Sequence, residues 1–256
     1  MNVAVVIQAR VGSTRFPGKV LAPLQGRPLL DHVLERAAMS RCASTIVLAT
    51  STNPGDDALV DVARARGAVV VRGPEDDVLA RFLAAIDAAG PDIVVRLTGD
   101  CPLLDPRLID RVVRALVRDG ADYASNVEPP SYPDGYDVEA MPARRMREMS
   151  AEALLPYQRE HVTAVAREAP DRYRHATVVS RRDHSGLRLT VDTPADLERI
   201  DAVLRATGRQ TPMLGAVLRA VNADPRLRDN AGLPARDERY LAQRDAARTA
   251  ARGGPA

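Results

Sequence analysis

Val3-Ala4-Val5-Val6-Ile7 is an uninterrupted apolar run, and the loop Gln8-Ala9-Arg10-Val11-Gly12-Ser13-Thr14-Arg15-Phe16-Pro17-Gly18-Lys19 follows it directly. Apolar residues without alternation describe a strand covered on both faces, the habit of parallel sheets. Thr45 to Ala49, Ala68 to Val71 and Asp92 to Leu97 have the same character. Between these runs, apolar residues recur three and four apart over Leu29 to Met39, Asp57 to Arg66 and Val78 to Ala89, which predicts helices. A fourth helix is predicted over Pro106 to Arg118. The pattern is βαβαβαβ, so the fold class is α/β: a doubly wound, mostly parallel sheet with helices on both faces and right-handed crossovers.

The rhythm breaks from Ala121 to about Ser185, where Pro129-Pro130 and Pro133-Asp134-Gly135 flank extended stretches at Tyr136 to Met141 and His175 to Val179. This reads as an inserted segment. A strand at Leu187 to Val191 and helices at Pro194 to Thr207 and Pro212 to Asn222 then resume the alternation. The division expected is a main domain over 1–223, with the insertion at about 121–185, and a C-terminal extension over 224–256. After Pro234 the extension is rich in Arg and Ala, which predicts a surface helix and a frayed tail, Gly253-Gly254-Pro255-Ala256.

Composition removes several function classes. With 256 residues, 45% of them hydrophobic, the chain can bury a substantial core and is neither disordered nor fibrous. A formal charge of +2 gives no concentrated positive field, so neither nucleic acid nor an anionic membrane is expected as a partner. The longest stretch free of Asp, Glu, Lys and Arg is the 14 residues from Cys42 to Gly55, too short to span a bilayer. The start has no basic n-region and meets Arg10 early, so no secretory signal is read and a cytoplasmic location is expected. Cys42 and Cys101 lack metal or redox spacing and read as buried thiols.

Of the 36 basic residues one is lysine, Lys19, and the other 35 are arginine. Where arginine serves almost everywhere, a lone lysine invites a chemical reason, because a compact ammonium and a planar guanidinium differ in reach and hydration. Lys19 closes a glycine-bearing loop at the carboxyl end of the first strand, the position where open α/β sheets bind ligands. Backbone N–H groups at the glycines, the forks of Arg10 and Arg15, and the point charge of Lys19 suit a polyphosphate; a solvated loop is the competing reading. Walker spacing is absent, since five residues separate Gly12 from Gly18 and Val20 follows Lys19, and no G-x-G-x-x-G follows the strand.

Arg96-Leu97-Thr98-Gly99-Asp100-Cys101-Pro102 and Arg188-Leu189-Thr190-Val191-Asp192-Thr193-Pro194 share the pattern R-L-T-x-D-x-P. Each is expected to deliver an aspartate at the carboxyl end of a strand. Helix capping would account for either aspartate singly. Two hard carboxylates beside a polyphosphate would suit Mg²⁺, which keeps waters and takes its remaining ligands from substrate phosphates.

The first loop, with Gly99-Asp100-Cys101-Pro102-Leu103 and Val191-Asp192-Thr193-Pro194-Ala195-Asp196-Leu197, resembles the CMP-sugar synthetase (cytidylyltransferase) family, nearest to its spore coat polysaccharide biosynthesis F-type branch and similar to the synthetases for Kdo and sialic acids. The resemblance runs from Met1 to about Ala206. It implies transfer of CMP from CTP to a sugar hydroxyl with release of pyrophosphate, and a Rossmann-like nucleotidyltransferase fold. It implies Mg²⁺ on Asp100 and Asp192, and a triphosphate held by Arg10, Arg15 and Lys19. The candidate catalytic residues are Arg10, Arg15, Lys19 and Asp100. The candidate nucleotide contacts are Gln8, Ala9, Arg10, Gly12, Ser13 and Lys19, with Asp77, Thr98 and Gly99. Asp77 belongs to Asp77-Val78-Leu79-Ala80-Arg81-Phe82, a further F-type resemblance, as is Arg72-Gly73.

Gly135-Tyr136-Asp137-Val138-Glu139 and Arg159-Glu160-His161-Val162-Thr163 also resemble F-type motifs and place the acceptor site in the insertion, which is further expected to mediate a homodimer. Arg159 and Thr163, four apart on one helix face, would present paired donors to a carboxylate or phosphate. His161 is a candidate general base, with a structural histidine as the competing reading. Asp137 and Glu139 alternate outward on a strand, toward substrate hydroxyls or toward solvent. The expected acceptor is a sugar acid. The rivals are cytidylyl transfer to a phosphonate or polyol phosphate, and a nucleotide-binding protein without turnover.

Overall fold

The first strand is the centre of the sheet. β1 (Val3–Gln8) pairs in parallel with β4 (Thr45–Ser51) on one side and β6 (Ile93–Thr98) on the other. Residues 3–7 have no exposed surface. Their side chains alternate between two cores, as strand geometry requires. Val3, Val5 and Ile7 join the larger core, and Ala4 and Val6 the other. The computed structural model describes residues 1–13, 15–228 and 235–252. Thr14 and the tail Gly253-Gly254-Pro255-Ala256 lie outside the described residues.

After β1 come a two-stranded ribbon, β2 (Pro23–Leu24) and β3 (Arg27–Pro28), then α1 (Leu29–Ala38), β4, α2 (Asp57–Ala65), β5 (Val69–Gly73), α3 (Val78–Ala89), β6 and α4 (Pro106–Arg118). Each follows from local chemistry. Asp77 caps α3 by accepting from the Ala80 N–H at 2.8 Å, and Gly90 ends it in the left-handed region. Asp105 caps α4 ahead of Pro106, which suits a first helical position.

The segment after α4 extends the same sheet. It contributes β7 (Tyr123–Ser125), β8 (Glu139–Pro142), α5 (Ala143–Ser150), α6 (Pro156–Glu160), α7 (Ala164–Glu168) and β9 (His175–Thr177). The sheet order is β5-β4-β1-β6-β8-β7-β9, with β5, β4, β1 and β6 parallel and β8 antiparallel to both neighbours. Then follow α8 (Pro194–Thr207), α9 (Leu214–Ala223) and α10 (Glu238–Arg252).

Two expectations need correction. Leu187 to Val191 is not a strand of the sheet. It runs extended and makes one isolated bridge, Arg188 to Asp134, because the sheet positions beside β6 are taken by β1 and β8. The C-terminal extension does form a helix, yet its Tyr240 is 3% exposed and packs with Tyr157 and Ala164. It is therefore not simply a surface element. No described helix is long and apolar enough to cross a membrane.

Candidate active site

The carboxyl ends of β1 and β6 lie side by side, and the backbone there is drawn tight. The Gly99 N–H donates to the Gln8 carbonyl at 2.9 Å, and a Cβ on Gly99 would stand 2.8 Å from that of Ala9. Glycine is required at such an approach. The first loop leaves this edge. The buried Asp56 carboxylate accepts from the Val11 N–H at 2.7 Å, and Gly18, at φ +75°, turns the chain toward Lys19.

Lys19 is buried and spends all three protons. Nζ stands 2.7 Å from Asp100 Oδ2, 2.8 Å from Asp192 Oδ1 and 2.9 Å from the Val191 carbonyl. Burial alone would lower its pKa, but the two carboxylates outweigh it and the ammonium is raised. Burial opposes ionisation of the aspartates too, and Lys19 overcomes it. Asp192 is held at about 2, and Asp100 is also lowered. The expected free phosphate-binding ammonium is thus, in this structure, the clasp between two carboxylates.

Asp192 reaches the site without a strand to carry it. The Val191 N–H donates to the Asp100 carbonyl at 2.9 Å, tying the second R-L-T-x-D-x-P segment to the first. Arg188 then links Asp134 at 2.8 Å, Asp192 at 2.6 Å and the buried Asp196 at 3.2 Å. Arg15 approaches Asp192 at 3.1 Å, and Arg10 pairs with Glu75 at 3.2 Å. Asp100 and Asp192 bring two hard carboxylate oxygens together on Lys19, and no cluster of three metal-ligating side chains occurs among the described residues. That donor set fits Mg²⁺, which needs one or two carboxylates when phosphates and waters complete its shell.

Arg10, Arg15, Lys19, Asp100, Asp134, Arg188 and Asp192 line one cleft of about 330 Å³, with Gln8, Ala9, Gly12, Ser13, Thr98 and Gly99 lining it too. Asp137, Glu139 and His161 line its other part. Eight basic and eight acidic side chains face this space among the described residues. Asp77, Arg159 and Thr163 do not line it. Asp77 Oδ2 accepts from Arg159 Nε at 2.7 Å, so cap and arginine satisfy each other. Arg159 and Thr163 do not share a helix face. α6 ends at Glu160, and Val162 at φ +53° breaks the path before α7.

Glu139 stands opposite Arg96 across the β6–β8 pair and forms an ion pair with it. Its Oε1 accepts from Tyr123 and Thr163 hydroxyls, each at 2.6 Å. Burial pushes it up, but Arg96 and Arg167 prevail and hold it at about 2. It is 3% exposed, so the outward alternation expected for Asp137 and Glu139 fails. Asp137 precedes β8 and pairs with Arg236. Desolvation wins there, with Asp134 and Asp237 adding to it, and Asp137 is pushed up to about 7 despite Arg236.

His161 Nε2 lies 2.7 Å from Gln243 Oε1, while Gln243 Nε2 donates to Glu160 at 2.8 Å. The second bond orients the amide, so Nε2 carries the imidazole proton and Nδ1 is the acceptor. Burial lowers the His161 pKa.

Sequence periodicity gave no hint of the wall made by Asp237, Glu238, Arg239 and Tyr240, nor of Arg167, while Arg96 and Arg188 showed only as the first residues of the repeated R-L-T-x-D-x-P pattern.

Residues 4–221 match the family model described as Cytidylyltransferase. The spore coat polysaccharide biosynthesis protein SpsF of Bacillus subtilis (strain 168) is 37% identical over 216 residues, covering 82% of this chain and 89% of that protein. The 3-deoxy-manno-octulosonate cytidylyltransferase of Anaeromyxobacter dehalogenans (strain 2CP-C) is 42% identical over 131 residues, 50% of this chain and 52% of that protein. A solved cytidylyltransferase from Leptospira borgpetersenii serovar Hardjo-bovis (strain JB197) superposes with a TM-score of 0.87 at 29% identity, over 91% of this chain and 99% of that one. A CMP:2-keto-3-deoxy-manno-octonic acid synthetase complexed with CTP shares the fold, with a TM-score of 0.62 at 21% identity over 80% and 99% of the two chains.

Proposed function

The chain belongs to the cytidylyltransferase family, and from that premise we propose that it transfers CMP from CTP to a hydroxyl of a sugar acid, releasing pyrophosphate. The observation that carries this reading is the convergence of Asp100, Asp192 and Lys19 on one point beside the glycine loop, in a cleft that continues to Glu139 and His161. On this reading a nucleoside triphosphate and a polar acceptor would occupy adjoining parts of the cleft.

In the proposed reaction the acceptor hydroxyl attacks the α-phosphorus in line, the α–β phosphoanhydride bond breaks, and the hydroxyl proton passes to a base in the cleft. Arg10, Arg15 and Lys19 stabilise charge on the departing pyrophosphate, so positioning and electrostatics supply most of the rate. Mg²⁺, when bound by Asp100 and Asp192, would neutralise phosphate charge. As Lys19 exchanges carboxylate for phosphate oxygens, its three donors remain satisfied. His161, neutral and with Nδ1 free to accept by its tautomer, is the base we assign. A cytoplasmic location and a homodimer belong to the same proposal.

The test is pyrophosphate release from each of the four nucleoside triphosphates, with Mg²⁺, against sugar acids, neutral sugars, sugar phosphates, polyol phosphates and phosphonates. Release with CTP and a sugar acid is expected. Release with phosphonates or polyol phosphates alone would reassign the acceptor, and silence throughout would leave a nucleotide-binding protein. Light scattering reads the oligomeric state.

A further inference from the structure

The match to the family model ends at residue 221, yet Ala235 and residues 237–240 line the cleft. This wall touches the phosphate loop at one ion pair, Arg15 to Glu238 at 3.8 Å, and is otherwise fastened from the insertion. The Tyr240 hydroxyl donates to Glu168 at 2.8 Å, and the Arg167 guanidinium lies 4.5 Å from the centre of its ring. The His161 ring meets Tyr240 edge-on at 5.1 Å. The cation over the buried ring, with the hydrogen bond, fixes the first turn of α10 against the insertion.

Apart from Arg15 of the phosphate loop, which is 42% exposed and faces both Asp192 and Glu238, the cations near this wall differ in one respect. Arg96, Arg167 and Arg188 have side chains 11%, 6% and 7% exposed, and each is engaged by buried or half-buried acids. Arg239 is 52% exposed, and among the described residues its one ion pair is with Glu160, at 2.6 Å. Glu160 has a second partner in Gln243, so it stays hydrogen-bonded if Arg239 turns away. A guanidinium with an accessible fork and a replaceable acid is suited to an incoming anion, and its plane matches carboxylate or phosphate in two-point contact.

We propose that Arg239 is the specificity-determining residue of the acceptor site, taking the carboxylate or phosphate of an anionic acceptor in exchange for Glu160. The assignment rests on the cytidylyl transfer proposed above. It places selectivity on the C-terminal segment, beyond the residues that define the family.

The experiment compares the full-length protein with Arg239→Ala and Arg239→Lys, each checked by circular dichroism. Pyrophosphate release with CTP is measured against matched acceptors: a sugar acid and the neutral sugar of the same skeleton, and a sugar phosphate and its parent sugar. CTP affinity is measured by calorimetry. Arg239→Ala should raise KM for the anionic acceptor at least about tenfold, erode its advantage over the neutral partner, and leave CTP affinity within about twofold. Arg239→Lys should recover part of the loss, since it keeps charge without the fork. The pair that responds identifies carboxylate or phosphate. An unchanged preference for anion over neutral partner, or a loss of CTP affinity, would overturn the assignment. Silence of the unmodified protein with every acceptor would instead overturn the cytidylyl-transfer reading, and the assignment with it.

Discussion

Asp100 and Asp192 converge on a single ammonium group, with Lys19 Nζ 2.7 Å from one carboxylate and 2.8 Å from the other. Their meeting depends on a loop, a strand end and an extended segment arriving together, so each partner can be tested apart from the others.

Asp100→Asn should fold and lose about 10²-fold or more in Mg²⁺-dependent turnover, because a neutral amide is a poor ligand for the divalent cation that would offset the triphosphate's charge. Asp192→Asn should behave alike. The double variant should be far from additive, since both carboxylates serve one cation. Steady-state kinetics across Mg²⁺ concentrations checks this, and near-normal activity in either single variant would refute the paired site.

Lys19→Arg keeps the charge and loses the fit. The ammonium serves three oxygens within 2.9 Å from a buried position, and a planar guanidinium cannot do so without pushing the carboxylates apart. Turnover should fall at least about tenfold while CTP still binds to Arg10 and Arg15. Unchanged kcat and KM would make the lone lysine an accident of composition.

Glu139→Gln should destabilise the fold at neutral pH. The carboxyl is lowered from 4.5 to about 2, so it contributes stability above pH 4.5 that fades as pH falls toward 2. The size is about 3 kcal/mol by linkage. Denaturant titrations at pH 7 and pH 3 should show the difference between variant and unmodified protein shrinking with acid. A gap independent of pH would contradict the assignment of charge at Glu139.

Asp137 runs the opposite way. Unfolded, it ionises near 3.8, while folded it keeps its proton to about 7, so stability declines as pH rises between those values. Asp137→Asn should remove that decline, and Arg236→Ala should raise the folded pKa by withdrawing the favourable charge. Denaturant titrations across that pH range read the first and carbon-detected NMR of the Asp137 carboxyl the second; a midpoint near 4 in the unmodified protein would be decisive against the raised pKa.

Gly135→Ala should cost about 2 kcal/mol or more. Gly135 lies at φ +95°, and a Cβ there would fall on the Leu189 carbonyl, beside the single bridge that carries Arg188 and Asp192. Chemical denaturation measures the loss, and turnover should drop with it.

The parallel half of the fold was legible because its helices run nine residues or longer and each of its strands contains an apolar run of three residues or more. α3 and α4 lie where the periodicity put them. β7 and β9 have three residues each, and α6 and α7 five, too few for any period to register. The convergence of Asp100 and Asp192 was visible as a repeated motif. The route was not: Asp192 arrives through one backbone bond to Asp100 rather than on a strand. Arg239 and Tyr240 were invisible because an Arg- and Ala-rich helix looks the same whether it faces water or a cleft.

Nearly matched charge in the cleft, eight basic against eight acidic side chains among the described residues with Asp137 partly protonated near neutral pH, would govern how a nucleotide arrives. A surplus of positive charge would draw anions from a distance and make capture rates fall steeply with salt. Here each loop cation already faces an acid, so an approaching triphosphate meets little net attraction until it is close enough to trade partners one by one. Association should therefore be slow for so charged a ligand and nearly indifferent to ionic strength, with selection occurring at contact rather than during approach.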